Sequence, residues 1–122
     1  MNFIRKGTSM GTVYVVCEPI KRTPYGSRTL DMSTAFKYGD VEVLIPHSQS
    51  VLSPVQTVRT LKDKLKNFCD QDYILPVGDP ALIATVSIVA AQNNEGRVAF
   101  LKWDKLLNSY IVVKIDATGR AL

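Results

Sequence analysis

Short apolar runs rich in β-branched and aromatic residues recur along the chain, and each is bounded by proline, glycine or polar residues. Runs of this kind predict strands. We predict five strands, over residues 12–17, 40–46, 72–78, 97–103 and 109–115. The last two are separated by the short polar-edged segment 104–108, a length typical of a β-hairpin.

Two other stretches have the three- and four-residue spacing of helices. Ser53 offers an N-cap, Pro54 follows it, and five apolar positions then share one helical face: Val55, Val58, Leu61, Leu65 and Phe68. Asp79 and Pro80 begin a second helix that is apolar nearly all round and that residues 93–96 end, so we expect it to be central. A helical turn or two is predicted over residues 31–39, ending at Gly39.

Strands and helices alternate in the order that produces parallel pairs through crossover connections. We therefore predict an α/β fold, one globular domain over residues 1–122 with a loose start at 1–11. Its mixed sheet of about five strands would be parallel in the centre and antiparallel at the C-terminal hairpin, with two main helices. The alternative is a small OB-like or Sm-like β-barrel with an added helix, because Thr85, Val86, Ile88 and Val89 also favour strands.

The net charge of +4 is unevenly distributed. Residues 1–28 hold five of the basic residues and one acidic residue, while the other ten basic and ten acidic residues cancel. The polar connection 21–28, where Pro-x-Gly predicts a turn, carries three cations around an aromatic ring, which predicts contact with RNA or DNA; they are Lys21, Arg22, Tyr25 and Arg28. The alternative is a set of solvated charges, as we expect for the basic face of the first main helix.

Ligands of parallel α/β sheets bind beyond the carboxyl ends of the strands. His47, Ser48 and Ser50 follow the second predicted strand, and Asp79 follows the third. If those two strands are neighbours, the four residues would form the Asp/His/Ser set of a small hydrolase. The alternative is that the first three are loop residues and that Asp79 only caps a helix.

The sequence lacks the residues that other functional classes require. Cys17 and Cys69 are far apart, and with a single histidine the sequence predicts no metal site and no cofactor. The first residues lack the apolar core of a signal peptide, and the longest apolar run, 81–91, is too short to cross a bilayer. These patterns predict a soluble cytoplasmic protein that does not bind membranes.

The runs 72–80 and 96–104, followed by an aromatic-led strand at Tyr110, resemble short uncharacterised proteins of tailed phages, including marine and cyanobacterial phages. The resemblance is strongest over residues 72–115. It implies a phage accessory protein acting in the cytoplasm of an infected bacterium, and it supplies no catalytic residues.

Charge and resemblance together predict a non-enzymatic accessory or regulatory module that binds RNA, DNA, or a host or phage protein through its basic N-terminal segment. The small hydrolase is the alternative. Trp103 and Tyr110 flank the final hairpin connection and are expected to pack across the strands. If the hairpin is an edge and they are exposed, they would instead mark a surface for a partner or for a homo-oligomer.

Overall fold

A five-stranded mixed sheet dominates the computed structural model, which describes residues 11–18, 20–23, 26–29, 33–46 and 53–121. The strands are β1 (Gly11–Cys17), β2 (Ile20–Thr23), β3 (Gly26–Thr29), β4 (Gly39–Ile45), β5 (Tyr73–Leu75), β6 (Arg97–Asp104) and β7 (Ser109–Asp116). The helices are a 3₁₀ helix (Ser33–Tyr38), α1 (Pro54–Lys64) and α2 (Pro80–Asn93).

The order of strands in the sheet is β4-β1-β5-β6-β7. β1 pairs in parallel with both β4 and β5, and β5 pairs in parallel with β6. β6 and β7 pair in antiparallel, from Arg97 opposite Asp116 to Asp104 opposite Ser109. The predicted α/β fold is therefore confirmed. Residues 80–93 form a helix and not the strands that the barrel alternative required.

Both predicted N-caps are present. The Ser53 hydroxyl accepts a hydrogen bond from the Gln56 N–H, and an Asp79 carboxylate oxygen accepts one from the Leu82 N–H at 3.0 Å. Proline follows each cap, where its missing N–H removes no helical hydrogen bond. Local sequence thus sets where both helices begin.

The buried faces of the helices differ from the prediction in two respects. Val55 is exposed in the first turn of α1, whereas Leu61, Leu65 and Phe68 are buried as predicted. In α2 the outward side is also open, since Ile88 is exposed although Val86 is fully buried. α2 packs against α1, β1 and β6, but it is not buried on all sides as its apolar sequence led us to expect.

Two clusters of buried side chains lie on opposite faces of the sheet. On the helix-side face, Tyr14 and Val16 of β1 pack with residues of α1 and α2. On the other face, Val13 and Val15 pack with Ala35 of the 3₁₀ helix and with apolar residues of β5 and β6. Burial on both faces explains why β1 reads as an almost continuous apolar run.

The segment before β5 is held to the start of β1. The Asp72 side chain is buried, and its two carboxylate oxygens accept the Thr12 N–H at 2.8 Å and the Cys69 N–H at 2.9 Å. A Cβ atom at Gly11 would overlap the Gln71 carbonyl, so the chains approach too closely here for a side chain. The strand predicted over residues 72–78 is shorter in the structure, Tyr73–Leu75, and Asp72 lies directly before it with its carboxylate bound to two backbone N–H groups.

Candidate functional site

The carboxyl ends of β4, β1 and β5 lie at one edge of the sheet, where sequence reasoning placed a catalytic set. β1 lies between β4 and β5, so the two strands that precede the set are not neighbours. The predicted Asp/His/Ser set required those two strands to be neighbours, and this condition is not met. His47, Ser48 and Ser50 lie outside the described residues, so their role stays a prediction.

Asp79 lies at this carboxyl edge, and its carboxylate caps α2. A Cβ atom at Gly78 would lie 2.8 Å from the Cys17 Cβ, so the turn into α2 passes close to the end of β1. With a carboxylate already at the helix N-terminus, this turn repels anions. The geometry favours the structural role that the sequence gave as the alternative for Asp79.

The basic segment contains a two-stranded antiparallel ribbon formed by β2 and β3, separate from the main sheet. Lys21 lies opposite Arg28, and Arg22 lies opposite Ser27. Tyr25 lies outside the described residues, in the connection between the two strands. Sequence analysis predicted only a turn within a polar connection. The missed signal is a two-residue connection flanked by strand-length segments, which is typical of a hairpin.

Four aromatic rings form a row across the sheet face opposite α1 and α2. Trp103 and Tyr110 meet edge to face with centroids 5.0 Å apart, as predicted for residues that pack across the hairpin. Tyr38 contacts Tyr110 at 6.2 Å and Tyr73 at 5.7 Å. Sequence reasoning missed Tyr38 and Tyr73, because the four rings come from four elements and no local spacing connects them.

Three polar side chains, Asp70, Asn94 and Arg97, meet at the amino end of β6. They lie beside a cavity of about 300 Å³ lined by Asp70, Arg97, Val98, Ala99, Lys114 and Ile115. The Arg97 Nε and the Asn94 amide both donate to Asp70 Oδ1, at 3.0 and 2.8 Å. These hydrogen bonds, that of Arg97 first, lower the pKa of Asp70 below its ordinary value, and the same carboxylate raises the pKa of Arg97. Together they form an exposed ion pair.

Asp116 ends β7 with a similar arrangement. Its carboxylate accepts hydrogen bonds from the Thr118 hydroxyl and backbone N–H, which lower the pKa of Asp116. Within the described ranges, no three His, Cys, Asp or Glu side chains come close enough together to hold a metal ion. No helix in that part of the chain is long and apolar enough to span a membrane.

Comparison with known proteins identifies a family. Neither the curated proteins nor the solved structures yield a significant similarity. The family model described as Phage Pam3 gp32-like protein matches residues 11–117. The match includes residues 72–115, where the resemblance to tailed-phage proteins is strongest, and it extends through every strand and helix described above. The chain therefore belongs to the Phage Pam3 gp32-like protein family.

Proposed function

We propose that this phage protein is a non-enzymatic accessory module that binds nucleic acid through the β2–β3 ribbon, in the cytoplasm of the infected bacterium. The observation that carries the proposal is the register of the ribbon, with Lys21 opposite Arg28 and Arg22 beside them. Opposed positions of an antiparallel pair are about 5 Å apart, so the two strands concentrate three cationic positions within a few residues.

A ribbon of this kind suits a phosphate backbone for two reasons. A two-stranded β-ribbon is narrow enough to enter the major groove of a duplex, and clustered Lys and Arg side chains neutralise phosphates and release counterions. Tyr25, in the connection between the strands, has an aromatic ring of the kind on which an unpaired base stacks. The ribbon therefore combines phosphate affinity with one stacking group.

The other concentration of cations, on α1, has structural roles. The Lys64 ammonium group donates to the Leu44 carbonyl oxygen at 2.6 Å, and Lys66 pairs with Asp63 at 3.8 Å. Lys62 and Lys64 also lie in the last turn of the helix, where positive charge complements the helix dipole. These contacts give Lys62, Lys64 and Lys66 structural roles that need no nucleic acid.

Binding of labelled single-stranded RNA, single-stranded DNA and duplex DNA at several salt concentrations tests the proposal. We expect the logarithm of the affinity to fall linearly with the logarithm of the salt concentration. Changing Lys21, Arg22 and Arg28 to Gln should weaken binding and reduce the slope by roughly 0.7 to 0.9 for each cation that contacts phosphate.

The matched control changes Arg59, Lys62 and Lys66 to Gln, which removes the same charge from exposed positions of α1 and of the turn that follows it. We expect this variant to keep the salt slope of the wild type. Equal losses in the two triple variants would mean that only net charge matters, and the absence of salt-dependent binding in the wild type would exclude the function. Tyr25→Ala should weaken single-strand binding by about 1–3 kcal/mol if the ring stacks on a base.

A further inference from the structure

β7 forms one edge of the main sheet. It is eight residues long and pairs with β6 on its inner side, and among the described residues no strand pairs with its outer side. A long edge strand offers a row of backbone donors and acceptors that favours pairing with another strand.

The direction of its backbone groups follows from one hydrogen bond. The Ala117 N–H donates to the Gly96 carbonyl oxygen at 2.8 Å, directly beyond the pair formed by Arg97 and Asp116. Hydrogen-bonded and non-hydrogen-bonded pairs alternate in an antiparallel ladder. The N–H and C=O groups of Val113 therefore point towards β6, whereas those of Val112 and Lys114 point outward.

The side chains of β7 are apolar where most edge strands carry charge. Ile115 lies opposite Val98 and Val113 lies opposite Phe100, so these side chains and that of Ile111 share the helix-side face. Val113 keeps 36% of its surface exposed and Ile115 46%. On this face the strand has no charge to discourage pairing, a role usually given to an inward-facing lysine or a proline.

We propose that β7 is the dimer interface, where it pairs antiparallel with β7 of a second copy about a two-fold axis at Val113. Directly opposed residues have side chains on the same face of the sheet. In two copies of one strand they must therefore be an even number of positions apart, so the axis passes through a residue and not between two residues. At Val113, Ile111 meets Ile115 of the partner subunit and Val113 meets Val113 of the partner subunit. An axis at Val112 would oppose Ile115 to Ser109, and one at Lys114 would oppose two ammonium groups.

This register also places the exposed end of the hairpin against the partner. Ser109 comes opposite Ala117 of the partner subunit, so the loop with Leu106 and Leu107 lies beside the segment that follows the partner's β7. Both leucines are well exposed in the single chain. The dimer would have one continuous sheet with five strands from each copy. The β7 edge of each copy would then be covered by the other.

The first experiment compares one substitution on the two edges of the sheet. Light scattering should give the wild type twice the single-chain mass of 13.5 kDa. Val113→Lys places two ammonium groups at the axis and should raise the dimer dissociation constant at least about a hundredfold. Val43→Lys is the matched control, because Val43 lies on the other edge strand with a similar exposure of 38%.

A wild type that is monomeric at all accessible concentrations overturns the proposal, as does a dimer that Val113→Lys leaves intact or that Val43→Lys dissociates. Circular dichroism should show that both variants keep the native fold. Should Val113→Lys fail to fold, cross-linking tests the same contact with a smaller change.

The second experiment determines the register. At the proposed axis, Val113 faces its copy in a non-hydrogen-bonded pair with Cα atoms about 4.5 Å apart, which a disulfide can span. Val112 is diagonal to its copy, at about 7–8 Å, beyond the usual reach. In a Cys69→Ser background, Val113→Cys should therefore form a covalent dimer on oxidation, and Val112→Cys should not. Preferential cross-linking of Val112→Cys, or of neither variant, contradicts the proposal.

Discussion

The parallel half of the sheet, β4, β1 and β5, differs from the antiparallel hairpin β6–β7 in what covers it. Six consecutive residues of β1 are buried, from Gly11 to Val16, whereas no residue of β7 is. Helices or the 3₁₀ helix cover the parallel half on both faces. The difference indicates that burial is concentrated in the parallel half, whereas β7 leaves apolar side chains exposed.

The two edge strands show the same contrast. β4 has Asp40 and Glu42 on the helix-side face of its exposed edge, and charges of this kind discourage pairing with another strand. β7 has three aliphatic residues on that face. Charge therefore protects one edge of the sheet, and the other is the one at which we expect self-association.

The largest expected effect lies in the parallel half. Gly11→Ala would place a Cβ atom onto the Gln71 carbonyl and 2.6 Å from Asp72 Oδ1, so β1 or the segment before β5 must shift. We expect the free energy of unfolding to fall by more than about 3 kcal/mol. Urea denaturation of the wild type and of Gly11→Ala measures the difference in the free energy of unfolding.

Gly119→Ala, at the far end of the hairpin, is the control. A Cβ atom there meets nothing within 4 Å, and the backbone has a φ of +84° that disfavours alanine. The expected loss is about 1–2 kcal/mol, from the backbone alone. Equal losses at Gly11 and Gly119 would contradict the close approach of β1 to the segment before β5.

An intermediate effect distinguishes the inner side of β7 from its outer side. Val113→Pro removes an N–H that bonds to β6 and should lower the free energy of unfolding by about 3 kcal/mol. Val112→Pro removes an outward N–H, which is the position where an edge strand tolerates proline, so the single chain should keep its fold.

Thermal unfolding at low protein concentration measures both proline variants. Val112→Pro should also weaken the proposed dimer, because it removes a donor from the contact with the second copy. A greater loss of stability in Val112→Pro than in Val113→Pro would mean that the N–H of Val112, and not that of Val113, points towards β6.

The smallest expected effect is at the amino end of β6. Because the folded-state pKa of Asp70 is lowered by Arg97 and Asn94, ionised Asp70 stabilises the fold above its unfolded pKa, near 4. That contribution is lost as the pH falls through the lower folded pKa. Asp70→Asn should therefore lower the melting temperature slightly at neutral pH, and the difference from wild type should shrink at about pH 3. A difference that grows on acidification would contradict this sign.

Much of the fold could be predicted from local sequence. The strand at residues 12–17, the caps Ser53 and Asp79 and the C-terminal hairpin each have a pattern within a few residues, so propensity and spacing are sufficient to predict them. The β2–β3 ribbon was predicted only as a turn, because four-residue polar strands carry no alternation that distinguishes them from a loop. Val55 has the helical spacing of a buried residue but is exposed in the first turn of α1.

The sequence by itself determined which segments become strands and helices, where both main helices begin, and that the excess positive charge lies in residues 1–28. Only the tertiary structure decided that β1 lies between β4 and β5, that four distant aromatic rings form one row, and that β7 is an edge. The physical reason is range. Capping and periodicity act over one or two turns of chain, whereas strand order and exposure follow from packing between segments up to 72 residues apart, whose contacts no local pattern encodes.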